Sequence, residues 1–169
     1  MKKQLATVFA LLALVTGSAV AKEKNDGSKT IIKEIMIREP FHKLVVEGNV
    51  DVLLFENSTT IANVQGRQKN VDAVEFTEKN GVLTITASSV NGKKPVVYLP
   101  VRHLAAIEAW KDAVVTGTTV LQSPDLTLLL NDDCKISVTA TGKIKFQEGA
   151  ETSLMVLKNI IRPIDNNSL

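Results

Sequence analysis

From Leu126 to Phe146 the chain alternates apolar and polar residues in three short runs. Leu126, Leu128 and Leu130 share one parity, then Ile136 and Val138, then Ile144 and Phe146. Thr127, Lys135, Ser137, Lys143 and Lys145 occupy the opposite parity, with Leu129 as the apolar exception. Successive side chains of a strand point to opposite faces, so each run predicts a strand with one core face and one wet face. Asn131-Asp132-Asp133 and Thr141-Gly142 supply the turns between them.

The same pattern runs through the rest of the chain. Residues 31–38 fit a strand or a short helix by periodicity, and their isoleucines favour the strand, which Pro40 ends. Strands follow over 41–47 and 50–55 around a turn at Gly48-Asn49, then over 61–64, 71–76 and 82–86. Asn80-Gly81 between β-rich runs predicts a hairpin, because both residues tolerate positive φ. Residues 95–99 form the next strand, ended by Pro100, and 101–110 reads as one more. Further strands are predicted at 113–116, 119–121 and 153–157. With no convincing helix, the fold class is all-β. The hairpin signals favour an antiparallel sandwich or barrel. The second half favours a β-solenoid, since strands near residues 105, 115, 127, 136, 144 and 155 recur at even spacing.

The first residues stand apart from this pattern. Lys2 and Lys3 precede an apolar run from Leu5 to Val15, and Ala19 and Ala21 sit where a signal peptidase reads small residues. Residues 1–21 are therefore expected to be a signal peptide, 22–29 a polar leader, and 30–169 a single all-β domain. The apolar run is too short to span a bilayer comfortably, and no later run is long enough, so no transmembrane segment is expected in the mature chain. Cleavage changes the charge. Loss of Lys2 and Lys3 from 20 basic residues leaves 18 against 18 acidic ones, which gives no support for nucleic-acid binding. The one cysteine, Cys134, cannot form an intramolecular disulfide, and its parity with Ile136 predicts a small inward-facing hydrophobe.

Several motifs resemble a known family when read in order. Phe41 precedes Leu44-Val45-Val46-Glu47-Gly48, then Val50-Asp51-Val52-Leu53-Leu54. A β run ends in glycine at Ala62–Gly66, followed by Asn80-Gly81-Val82-Leu83-Thr84-Ile85 and by Val96-Val97-Tyr98-Leu99-Pro100, with Leu104 and Ile107 beyond. This order resembles the bacterial auto-transporter adhesin family with the head GIN domain, DUF2807, over residues 41–146. The resemblance implies a right-handed, solenoid-like β fold, an exported location in the periplasm or at the cell surface, and an adhesin-like role. The chain departs from the family where a Ser-Gly-rich turn is usual, carrying Glu108-Ala109-Trp110-Lys111-Asp112 instead.

Candidate chemistry is sparse. His42 and His103 have nothing in the sequence to bring them together, and zinc needs three or four convergent ligands. Asp132-Asp133 reads as a turn cap, since calcium needs six or more oxygens. Asp51 reads as an outward strand residue. No nucleophile elbow, phosphate loop or metalloprotease helix is present, so no catalytic residue, cofactor or metal is assigned. An enzyme acting on polysaccharide would need acids such as Asp51, Glu75, Asp112 and Asp133 to cluster. Trp110, the only tryptophan, and Lys143 and Lys145 form the candidate binding surface. The expected function is a non-enzymatic envelope binding module whose partner is a glycan or a protein. The alternatives are a structural protein pairing through its edge strands and, last, a carbohydrate-active enzyme.

Overall fold

The computed structural model describes residues 29–88, 93–131 and 133–148. The expected signal peptide, most of the leader, Asp132 and the strand expected at 153–157 lie outside the described residues. Twelve strands and one short helix follow in order: β1 (Thr30–Met36), β2 (Lys43–Gly48), β3 (Asp51–Glu56), β4 (Ile61–Arg67), α1 (Gln68–Asp72), β5 (Val74–Lys79), β6 (Val82–Ala87), β7 (Val96–Val101), β8 (Ala106–Trp110), β9 (Val114–Leu121), β10 (Asp125–Leu130), β11 (Lys135–Ala140) and β12 (Lys143–Glu148). The all-β expectation holds.

The strands make two six-stranded sheets that are not closed. The first runs β1-β4-β7-β3-β9-β11 and the second β12-β10-β8-β2-β6-β5. Consecutive strands such as β2 and β3, β8 and β9, or β10 and β11 lie in opposite sheets. The parallel neighbours β8 and β10, β9 and β11, and β10 and β12 are thus each joined through one strand of the facing sheet, in place of the usual helical crossover. In contrast, β2 and β3 pair in parallel with strands much later in the chain. The antiparallel pairs β1–β4, β4–β7 and β5–β6 gather at one end of the molecule. The β5–β6 hairpin turns at Asn80-Gly81, with φ of 53° and 74°, as the sequence predicts.

Inward residues from both sheets form one core. Leu44 and Val46 of β2, Val52 and Leu54 of β3, Leu83 and Ile85 of β6, and Leu126 of β10 are fully buried. Each such side chain stabilises the fold by roughly 1.5–3 kcal/mol through the area it removes from water. The 126–146 stretch keeps its predicted parity as β10, β11 and β12. Leu126 and Leu128 are buried, and Ile136, Val138 and Ile144 pack against the core. Phe146 shares the inward parity of Ile144 yet is 55% exposed, because β12 ends its sheet and no strand of the described residues lies beyond it.

The structure corrects the sequence reading in five places. Residues 71–76 are not one strand. Gln68–Asp72 forms a helical turn, where Gln68 Nε2 donates to the Asp72 carboxylate at 2.9 and 3.0 Å and Val71 is buried, and β5 begins only at Val74. Residues 101–110 are not one strand either. Val101 ends β7, residues 102–105 turn with His103 at φ 54°, and β8 begins at Ala106. Pro100 lies inside β7. Asp51 and Asn57 donate to the carbonyls of Pro95 and Val101, so odd-numbered β7 groups face β3. Pro100 therefore turns its missing N–H toward β4, past the Asn63–Tyr98 pair where β4 pairing stops. Residues 114–121 form one strand with a bulge, because Ser137 and Thr139 of β11 align with Thr116 and Val120 of β9. Cys134 packs against the core but is only half-buried, with its Sγ 3.3 Å from the Ala109 carbonyl oxygen.

Candidate functional site

The outer face of the second sheet carries all three residues of the candidate surface. Alternation along β8 buries Ile107 and Ala109 and turns Ala106, Glu108 and Trp110 outward. The same rule turns Lys143 and Lys145 of β12 outward around Ile144. Register keeps the lysines apart from the tryptophan. Lys145 aligns with Thr127, and Thr127 with Ala106, four residues before Trp110. That offset is about 13 Å along the strands and about 10 Å across them.

Trp110 has other neighbours, which the sequence did not single out. Its Nε1–H donates to Glu108 Oε1 at 2.8 Å. The other Glu108 oxygen lies 2.6 Å from Lys43 Nζ of β2, where the carboxylate side chain is only 13% exposed. Trp110 aligns with Glu47 of β2, whose carboxylate accepts from Lys111 Nζ at 2.5 Å. The indole is thus half-exposed at the end of β8 and framed by two carboxylates that each hold a lysine. Parallel pairing of β2 with β8 creates this cluster. A pairing of strands distant in sequence leaves no local signal.

The turn after Trp110 is the family departure. Lys111 and Asp112 both take left-handed backbone, φ 52° and 58°, and the Ala113 N–H reaches the Trp110 carbonyl at 3.4 Å. Two consecutive positive-φ residues re-aim the chain from the second sheet to the first within a very short connection. Lys94 braces this corner, donating to the Asp112 carbonyl at 2.6 Å with its Nζ 3.9 Å from Asp51 Oδ1.

The remaining candidates divide between corners and edges. Asp51 begins β3 and Asp112 and Asp133 lie in connections between the sheets, whereas Glu75 lies on the edge strand β5. Lys145 forms an ion pair with Asp125 at 3.5 Å, with both side chains mostly exposed. Among the described residues no three His, Cys, Asp or Glu side chains converge in a way that could hold a metal ion. No helix among the described residues is long and apolar enough to cross a membrane. The two histidines do come together, contrary to the sequence reading. His42 and His103 line one cleft of about 520 Å³ with Pro40, Phe41 and Arg102.

Solved structures share this arrangement of strands. A structure from Parabacteroides merdae matches with a TM-score of 0.60 at 20% identity, covering 71% of this chain and 52% of its own. One from Bacteroides fragilis matches at 0.58 and 16%, covering 71% and 58%, and one from Parabacteroides distasonis at 0.56 and 18%, covering 72% and 57%. All three are described as putative adhesins, and this chain spans little more than half of each. No curated protein matches. The model of one family matches residues 40–156, well over half of the sequence. This chain therefore belongs to the DUF2807 family, described as "Putative auto-transporter adhesin, head GIN domain".

Proposed function

We propose that the protein is an exported, non-enzymatic binding module of the bacterial envelope, working in the periplasm or at the cell surface. It recognises an envelope glycan or protein through the outer face of its second sheet. The observation that carries this reading is Trp110, a half-exposed indole whose N–H is held by Glu108 on a strand bonded on both sides. A ring fixed in this way offers a flat apolar surface at little entropic cost, suited to stacking on a sugar or anchoring a partner side chain. Lys143 and Lys145 form the far corner of the same face, within reach of an extended ligand such as an oligosaccharide. Family membership and the likeness to putative adhesins support the adhesin-like role.

The parallel ladders, with consecutive strands alternating between the two sheets from β6 to β12, support the solenoid reading over the antiparallel sandwich. The export reading rests on residues 1–21. A glycan array probed with the wild-type protein and with Trp110→Ala tests the function. Glycans bound by the wild type and lost by the variant support the reading, and an array with no bound glycan sinks its sugar-binding form.

A second reading draws on the open ends of the sheets. β11 and β12 are terminal strands of the first and second sheets, so among the described residues each leaves one backbone edge unpaired. Such an edge suits a structural role in which a partner strand extends the sheet. Concentration-dependent assembly that is blocked by proline at alternate β12 positions would favour it.

A further inference from the structure

The corner cleft between the start of β2 and the β7–β8 connection has no part in the Trp110 face, and the reading above does not assign it. Its lining is Pro40, Phe41, His42, Arg102 and His103, so three nitrogen donors stand in it with no acidic residue among them. Among the described residues the side chains of His42, Arg102 and His103 make no hydrogen bond or ion pair. Some of the other cations among the described residues are paired, while others such as Lys33, Lys135 and Lys143 form no ion pair. Lys43, Lys94, Lys111 and Lys145 each meet a carboxylate.

The backbone that carries these donors is fixed. The N–H groups of His42 and Lys43 donate to the Gly81 carbonyl at 2.9 and 3.2 Å, and the His42 carbonyl accepts from Ala105 and Ala106 at 2.7 and 3.2 Å. The His42 ring lies directly over Gly81, where a Cβ would come within 2.5 Å of it. His103 is held at φ 54°, a conformation that non-glycine residues rarely adopt and that commonly marks functional positions. Two chain segments far apart in sequence are thus bonded together, which sets the solvent-exposed residues His42, Arg102 and His103 around one cleft.

We propose that this cleft binds a small oxyanion, a carboxylate, phosphate or sulfate group, carried on a compact molecule such as an acidic saccharide. Arg102 supplies a planar fork that meets two oxygens at once, and the imidazoles supply further N–H donors. Pro40 and the half-buried Phe41 give the apolar surface against which the C–H face of a sugar ring can rest. At about 520 Å³ the cleft has room for a sugar unit with its acidic group.

The chain has two histidines, so imidazole 15N NMR at fixed pH reads this cleft directly. The purified protein would be titrated with inorganic phosphate, with glucuronate and with neutral methyl glucoside. Saturating shifts of both imidazoles with phosphate or glucuronate are expected. Response to phosphate points to a bare or esterified oxyanion, and response to glucuronate alone to a carboxylate on a sugar. Arg102→Gln should weaken the response by about tenfold or more, the usual scale for one lost charge-assisted bond. His103→Asn, which tolerates the same backbone, should weaken it too, and Trp110→Ala should leave it unchanged. Absence of saturation, equal shifts with methyl glucoside, or undiminished binding by Arg102→Gln would overturn the proposal.

Discussion

Glu108 and Trp110 are two residues apart on the outer face of β8, and the indole N–H donates to the carboxylate at 2.8 Å. The same carboxylate holds Lys43 of β2. One acid thus fixes both the ring and the ladder beside it. Glu108→Ala should release both contacts. The pair is partly screened by solvent, so the expected loss is about 1 kcal/mol in urea unfolding. Because Trp110 is the only tryptophan, its emission reports the change without further labelling. Red-shifted emission with greater acrylamide quenching is expected in the folded variant.

Gly48 closes the β2–β3 turn at φ 95°, and a Cβ there would lie 2.1 Å from the Ala87 carbonyl oxygen. The clash is with backbone of the neighbouring β6 ladder, which cannot yield without breaking pairing. Gly48→Ala should therefore cost about 3 kcal/mol or more, combining left-handed strain with overpacking. Thermal unfolding followed by circular dichroism checks this, and a change below about 1 kcal/mol would contradict the turn geometry.

The turn at Lys111-Asp112 predicts the opposite sign. Asp112 takes φ 58°, which costs an L-residue about 1–2 kcal/mol and glycine almost nothing. Its backbone carbonyl, not its side chain, receives the Lys94 hydrogen bond, so removing the side chain leaves that brace intact. Asp112→Gly should stabilise the protein by about 0.5–1 kcal/mol after the entropic cost of glycine is set against the relief. A lower melting temperature would show that the carboxylate contributes more than the strain costs.

The outer face of β1 predicts tolerance. Ile32 is 66% exposed while Ile31 and Ile35 of the opposite parity pack against the core. Ile32→Ser should change stability by less than about 0.5 kcal/mol, whereas Leu44→Ala in the core should cost about 2–5 kcal/mol. Denaturant midpoints of the two variants test the assignment of faces.

Local pattern carried most of the elements and little of their arrangement. Alternation placed Leu126, Leu128, Ile136 and Ile144 inward, and Asn80-Gly81 announced its hairpin. The 68–72 turn escaped because Val71 is apolar and adjoins a true strand, and a helix of five residues has no periodicity to detect. Phe146 has the inward parity but lies at a sheet end, and parity does not report where a sheet stops. The order of strands was less legible still. β2 lies between β6 and β8, so the pair laid down early is flanked by strands that come later. That insertion sets Lys43 beside Glu108, Glu47 beside Trp110 and His42 beside the His103 turn. None of these neighbours is close in sequence.

The central claim is that ligand settles on the Trp110 face. Collisional quenching of the single tryptophan by acrylamide, measured with and without a saturating glycan identified on the array, tests it most directly. The account predicts that bound glycan shields the half-exposed ring and lowers the quenching constant, and that Glu108→Ala weakens the shielding. A glycan that binds at saturation while the quenching constant stays unchanged would place the contact elsewhere and contradict the account.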